Sequence, residues 1–284
     1  MLTTQKTDKP IAAYLATTPG GEYRPTGEFI YFSEDVHPPL PPKVRKLLIQ
    51  HYGMLPPEGD EVECAHPMEK FAPVFDRKER ITMFIAGCQN CGKSYFISQF
   101  LKTYKTIHPE RPVYLVTGLS EKDAHFEGLE MWKVDLGTIP SLTLEDLRRL
   151  APDAPRTGSL VIFDDVDRIT DDKVNKAVQK LISDILSNGR DHATQAGIAD
   201  IDIIVTNHEV NDYGRTKRML TECNYVVLFP SATVGRQMKL IIDKIGVGKG
   251  IEKQITHYKT SRSVIIHKTY PMYCVMEDKV MLLR

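Results

Sequence analysis

The chain has 284 residues, 42% of them hydrophobic and 26% charged, and its 37 basic and 37 acidic side chains give a formal net charge of zero. This length and apolar content suffice for one large α/β domain with a buried core plus an extension. Electroneutrality excludes a long-range field toward nucleic acid or an anionic membrane, so any such contact has to be local.

No apolar run approaches the roughly 20 residues of a membrane-spanning helix, which argues against direct membrane insertion. The polar start Met1-Leu2-Thr3-Thr4 is unlike a secretory signal. Five cysteines, an odd number spread along the chain, suit free thiols in a reducing compartment. Eleven of the 18 prolines precede residue 75, which predicts a Pro-rich, irregular N-terminal arm over residues 1–78. Within it, residues 28–32 are strand-like, and residues 42–51 read as a short helix stopped by Gly53.

Residues 79–284 are expected to form one domain of their own. Strand-like runs at 81–86, 113–117, 132–135, 160–163, 201–206 and 225–229 alternate with helical ones, which predicts a mostly parallel central sheet flanked by helices. Val174, Val178, Leu181, Ile182 and Ile185 recur at helical spacing, and Gly189 is a natural stop. Near the C-terminus, runs at 264–269 and 272–276 flank Tyr270 and Pro271 and predict a closing hairpin.

The run 81–86 leads directly into Gly87, Cys88, Gln89, Asn90, Cys91, Gly92, Lys93 and Ser94, a complete G-x-x-x-x-G-K-S phosphate loop (Walker A), and Tyr95 continues into a helix. Such a loop wraps backbone N–H groups around phosphates, and its glycines remove Cβ atoms that would block the wrap. Lys93 is expected on the β- and γ-phosphates of ATP, and Ser94 on Mg²⁺. Cys88 and Cys91 flank the phosphate cradle and would feel its positive field, so that their oxidation would distort the loop, and they lack the second ligand pair of a zinc site.

The apolar run 160–163 ends in Asp164 and Asp165, the pattern of a Walker B strand. Asp164 is the expected Mg²⁺-side acid, and Asp165 the candidate to polarise the attacking water. The run 201–206 ends in Asn207, a candidate sensor of the γ-phosphate. Arg236, Lys239, Lys244, Lys249 and Lys253, together with the glycines at 246, 248 and 250, form the best local basic patch.

Further motifs resemble the FtsK/HerA-type genome-packaging ATPases of large double-stranded DNA viruses, the poxvirus-type enzyme among them. They are Asn188-Gly189-Arg190, Thr206-Asn207-His208, and Thr216-Lys217-Arg218-Met219-Leu220-Thr221-Glu222 before Leu228-Phe229-Pro230. Asp191 between Arg190 and His192, Lys217 and Thr221 depart from the common pattern. The resemblance implies a RecA-like fold and a homo-oligomeric ring that moves double-stranded DNA without sequence preference. It also implies capsid or portal-vertex partners, and a location at virion assembly sites in the host cytoplasm or in the virion. Arg190, Arg215 or Arg218 would act on the neighbouring subunit's nucleotide. Three other readings stay open from the residues: a HerA-like cellular DNA translocase or helicase, a P-loop kinase, and a nucleotide-binding assembly protein without turnover.

Overall fold

The computed structural model describes residues 1–18, 22–33, 60–64, 68–119, 124–149, 157–190, 200–208, 213–233, 235–247, 249–258 and 260–283. Two compact units are present, Met1–Phe75 with Val247–Arg284, and Asp76–Gly246. The expected boundary at 78/79 therefore falls close to the first break. Residues 247–284, which had been expected within the ATPase domain, group instead with the N-terminal residues.

The N-terminal residues are not an irregular arm. Strands β1 (Leu2–Thr3), β2 (Pro10–Thr17), β3 (Tyr23–Phe32), β4 (Glu61–Glu63) and β5 (Glu69–Pro73) alternate with connections. An antiparallel sheet has the order β1-β3-β2-β5. The prolines are accommodated where no ladder N–H is required. Pro10 and Pro73 lie at strand ends, and Pro25 lies where β3 is paired on one side, because β1 reaches only Tyr31 and Phe32. Register shifts near Ala12 and Leu15 mark bulges that absorb the misfit. The predicted strand 28–32 is the second half of β3, while the predicted helix 42–51 lies outside the described residues.

The second unit holds six parallel strands in the order β11-β6-β10-β9-β7-β8. They are β6 (Thr82–Ala86), β7 (Val113–Thr117), β8 (Trp132–Lys133), β9 (Ser159–Asp164), β10 (Ile201–Asn207) and β11 (Tyr225–Leu228). β6 and β9 are buried at every position, as strands covered on both faces must be. β10 lies between β6 and β9, so a strand separates the two that carry the phosphate loop and the paired acids. The flanking helices are α1 (Lys93–Ile107), α2 (Leu144–Arg148), α3 (Asp172–Asn188), α4 (Tyr213–Glu222) and α5 (Gly235–Ile245). This is the expected α/β class with a mostly parallel sheet.

Local chemistry fixes the helix ends. Asp171 accepts from the Lys173 and Val174 N–H groups at the start of α3. At its other end, Arg80 donates to the carbonyls of Ile185, of Leu186 at 3.2 Å and of Ile201 at 2.8 Å. The guanidinium thus satisfies orphan carbonyls and neutralises the negative helix end. A Cβ at Gly189 would run into Arg80 and the Ile185 carbonyl.

One carboxylate organises the base of this unit. Asp202, on β10, is 1% exposed. It accepts from Ile81 N at 2.7 Å, Tyr104 Oη at 2.7 Å and Arg111 Nη1 at 2.8 Å. The four segments meeting there come from the start of β6, the end of α1, the start of β7 and β10 itself.

The first unit is completed by α6 (Lys249–His257), β12 (Val264–His267), β13 (Tyr273–Val275) and β14 (Lys279–Leu282). β12 and β13 pair antiparallel with His267 opposite Tyr273, as the hairpin expectation required. β13 pairs with β14, and β14 with β4. Leu2, Ile30, Phe32, Phe71, Val275 and Val280 are among the residues of its apolar core.

Candidate active site

Parallel strands β6, β9 and β10 end on the same edge of the sheet, the edge where open α/β sheets bind ligands. The loop 87–92 leaves β6 there. Gly87 N donates to the Asn207 carbonyl at 3.2 Å, which ties the loop to the end of β10. Asn90 (φ 62°) and Gly92 (φ 106°) adopt left-handed conformations that fold the chain back into α1. A Cβ on Gly87 would lie 2.5 Å from Cys91 Sγ and 2.9 Å from Phe229 Cδ2, so close approach dictates glycine at this position. The N-terminus of α1, with its positive dipole end, opens directly behind the loop.

The Cys88 thiol is engaged with the Ala232 carbonyl at 2.8 Å. Burial pushes the Cys91 thiol up, outweighing the pull of Lys93 in the other direction. Desolvation therefore defeats the positive field, and Cys91 remains a thiol.

Lys93 is 6% exposed. Its Nζ donates to the Gly87 and Cys88 carbonyls at 2.9 Å each, and lies 3.0 Å from Nδ1 of His208. Ser94 is half-buried in the first turn of α1, and Tyr95 is exposed, with its ring edge-on to His125. The backbone of the loop and these three side chains thus stand together at the helix start, as the motif required.

Asp164 and Asp165 follow β9. Asp164 is 4% exposed and accepts at 2.7 Å from the Thr206 hydroxyl on β10. Asp165 adopts a left-handed conformation at φ 51°. Its N–H faces the same Thr206 Oγ1 at 3.3 Å, so one hydroxyl fixes both acids. The Asp165 carboxylate is bonded by His208 Nε2, with Arg168 Nε at 3.8 Å from its other oxygen. The His208 hydrogen bond holds the Asp165 carboxyl below the usual carboxylate range.

Asn207, the expected sensor, stands in register beside Ala86 at the end of β6. His208, one residue further, meets both Lys93 and Asp165. Sequence reading left His208 and Thr206 without roles, although both belong to the tripeptide that ends β10. The available signal was their spacing of two, which puts both on one face of an extended strand. Asp165, Asp167 and His208 also bring three ligand-type atoms within 4.8 Å of one another. Asp165 and His208, bonded together with the Lys93 ammonium against the ring, form a hydrogen-bonded network beside Asp167.

The arginines lie elsewhere. Gly189 O accepts from Ile201 N, so Arg190 follows α3 at the edge where β10 begins, opposite the phosphate loop. Arg190 is exposed, and its carbonyl is 3.4 Å from Arg148 Nη2. Arg218, on α4, donates to Ser187 Oγ near the same end of α3 at 2.9 Å. β10 spans about 20 Å at 3.3 Å per residue, so Arg190 is separated from Lys93 of its own subunit by the depth of the sheet. The side chain of Arg215 lies outside the described residues. The basic patch is described in part: Arg236, Lys239 and Lys244 are exposed on α5.

No protein-family model matches the chain. The uncharacterized protein V3 of the Sputnik virophage is 28% identical over 218 residues, 76% of this chain and 82% of that protein. B204, the DNA-packaging ATPase from Sulfolobus turreted icosahedral virus, aligns over 72% of this chain and 97% of its own, with a TM-score of 0.44 and 16% identity. The pCW3 conjugation coupling protein TcpA, solved with ATPγS, aligns over 80% of this chain and 66% of its own, with a TM-score of 0.43 and 10% identity.

Proposed function

We propose that this chain hydrolyses ATP and uses the energy to drive double-stranded DNA into a preformed viral capsid. The observation that carries the hydrolytic part is the convergence of Lys93, Asp164 and Asp165 from separate segments on one sheet edge, joined by Thr206 and His208. One acid buried beside the cradle and a second bonded to histidine match a division between metal-side carboxylate and water-side base.

The residues fit ATP and Mg²⁺. The crowding at Gly87 leaves no room for a Cβ on the loop. Ser94 and Asp164 offer a hydroxyl and a carboxylate, the hard oxygen donors that Mg²⁺ takes. When bound, Mg²⁺ supplies charge neutralisation on the phosphates. Lys93 supplies a second positive charge there, Asp165 accepts a proton from water, and Thr206 keeps both acids in place.

The DNA, ring and capsid parts rest on the motif resemblance. Arg190 and Arg218 lie on the sheet edge remote from their own phosphate loop, which supports a role toward a neighbouring subunit in a ring. Arg236, Lys239 and Lys244 supply an exposed cationic surface for a phosphate backbone. The expected location is the virion assembly site in the host cytoplasm or the virion.

Phosphate release by the purified chain, with and without linear double-stranded DNA over a salt series, tests this reading. DNA should stimulate turnover, and the stimulation should fade as salt rises. Bound nucleotide without turnover would favour the assembly-protein reading, and transfer that requires an added acceptor would favour the kinase.

A further inference from the structure

Lys93 and Asp165 serve opposite ends of a hydrolysis reaction, one on the phosphates and one on the water, and a single ring stands between them. His208 Nδ1 lies 3.0 Å from the Lys93 ammonium, and its Nε2 bonds Asp165 Oδ1. An ammonium can only donate, so Nδ1 must present its lone pair. The ring proton is then on Nε2 and is donated to the carboxylate. The resulting chain has one polarity throughout: ammonium to Nδ1, then Nε2–H to carboxylate. It is also sheltered, since the His208 and Asp165 side chains are 17% and 13% exposed.

Resting on the hydrolase reading above, we propose that His208 is a positioning residue that couples the phosphate lysine to the water-side acid. Its Nε2–H pins one oxygen of Asp165 and leaves the other for water. Its Nδ1 competes with the phosphates for the Lys93 ammonium. Asp165 needs such a restraint because its short side chain leaves β9 through a left-handed residue, and among its described contacts only His208 bonds the carboxylate within hydrogen-bonding distance. The two nitrogens predict two separable effects, one on nucleotide affinity and one on turnover.

Two amide substitutions divide the ring. His208→Asn places its amide near the position of Nδ1, which keeps an acceptor for Lys93 but falls short of Asp165. His208→Gln reaches the position of Nε2, which keeps a donor for Asp165 but gives up the acceptor at Nδ1. The experiment measures, on the full chain, the Kd for a fluorescent ATP analogue with Mg²⁺ and the kcat and KM for ATP. Thermal midpoints confirm that both variants are folded.

Expected for His208→Asn is a Kd within about twofold of wild type and a kcat lower by about tenfold or more, the cost of misplacing a reacting group. Expected for His208→Gln is a kcat that falls by less than about threefold and a Kd about three- to tenfold tighter, because Lys93 has lost a competing partner. If the two variants move affinity and turnover together, or leave both unchanged, the proposal is overturned. A wild-type chain that binds the analogue and releases no phosphate defeats the hydrolase reading instead. In that event the Kd ratio of the Gln and Asn variants alone decides whether His208 competes for Lys93.

Discussion

Gly87→Ala isolates one steric requirement of the phosphate loop. The added Cβ would sit 2.5 Å from Cys91 Sγ and 2.9 Å from Phe229 Cδ2, whereas nonbonded heavy atoms settle at about 3.5–4.0 Å. Relief therefore requires shifts of roughly 1 Å at the sulfur and 0.6 Å at the ring. Phe229 is 1% exposed and has no room to retreat, so the displacement falls on the loop that carries the N–H groups. Overpacking of this kind costs about 1–3 kcal/mol. Paid in the binding conformation, that weakens the Kd for ATP by about fivefold to a hundredfold. The assay is titration of a fluorescent ATP analogue with Mg²⁺, alongside a thermal melt. Adding Cys91→Ala removes the nearer clash and should restore part of the lost affinity while the Phe229 contact keeps the rest. A Gly87→Ala protein that binds within twofold of wild type would refute the close packing, as would a double variant no better than the single one.

Arg111→Met should destabilise the chain by about 3–5 kcal/mol, because it leaves the Asp202 carboxylate buried without its cation; urea unfolding measures this, and adding Asp202→Asn should recover part of the loss. Asp165→Asn should bind nucleotide but release no phosphate, and an active variant would remove Asp165 from the role of base. Because the folded-state value of Asp165 is depressed, its charged form contributes stability that is complete above the ordinary aspartate range and is lost as pH falls through the depressed value. Turnover should accordingly lose activity to Asp165 protonation only below the ordinary aspartate range, which a pH–rate profile compared with melts of Asp165→Asn can check. Arg190→Ala subunits mixed with wild type should depress turnover more steeply than their fraction if Arg190 acts across an interface, and in proportion if it does not.

The phosphate loop was legible because its eight residues are contiguous and their chemistry is local. Five strands of the parallel sheet, β6, β7, β9, β10 and β11, were legible because burial writes them as largely apolar runs, whereas β8, Trp132–Lys133, is exposed. The N-terminal sheet was obscured by prolines, which read as irregular chain until the pairing shows Pro25 opposite Leu15 of β2 at a point that β1, reaching only Tyr31 and Phe32, does not cover. His208 was hidden for a different reason. It is 115 residues from Lys93 along the chain, and only the placement of β10 between β6 and β9 brings it beside both Lys93 and Asp165. Asn207 was singled out because it ends an apolar run; His208, the next residue, meets both Lys93 and Asp165. Nothing in the periodicity of 247–284 marks their grouping with the N-terminal residues.

The Asp202 cluster has a mechanical consequence. It fastens the start of β6, the last turns of α1 and the entry to β7 to one carboxylate, at the end of the sheet away from the phosphates. Strand, loop and helix then behave like a spring clip riveted at its base. Its tip is the loop 87–92, tied to the end of β10 through Gly87 N, and one arm is a helix about 22 Å long at 1.5 Å per residue. Load applied along α1 is carried to the rivet, while small displacements at the tip are taken up where Asn90 and Gly92 turn through left-handed conformations. On the function proposed above, adjustment to phosphate would then fall on the loop while the rivet holds the sheet.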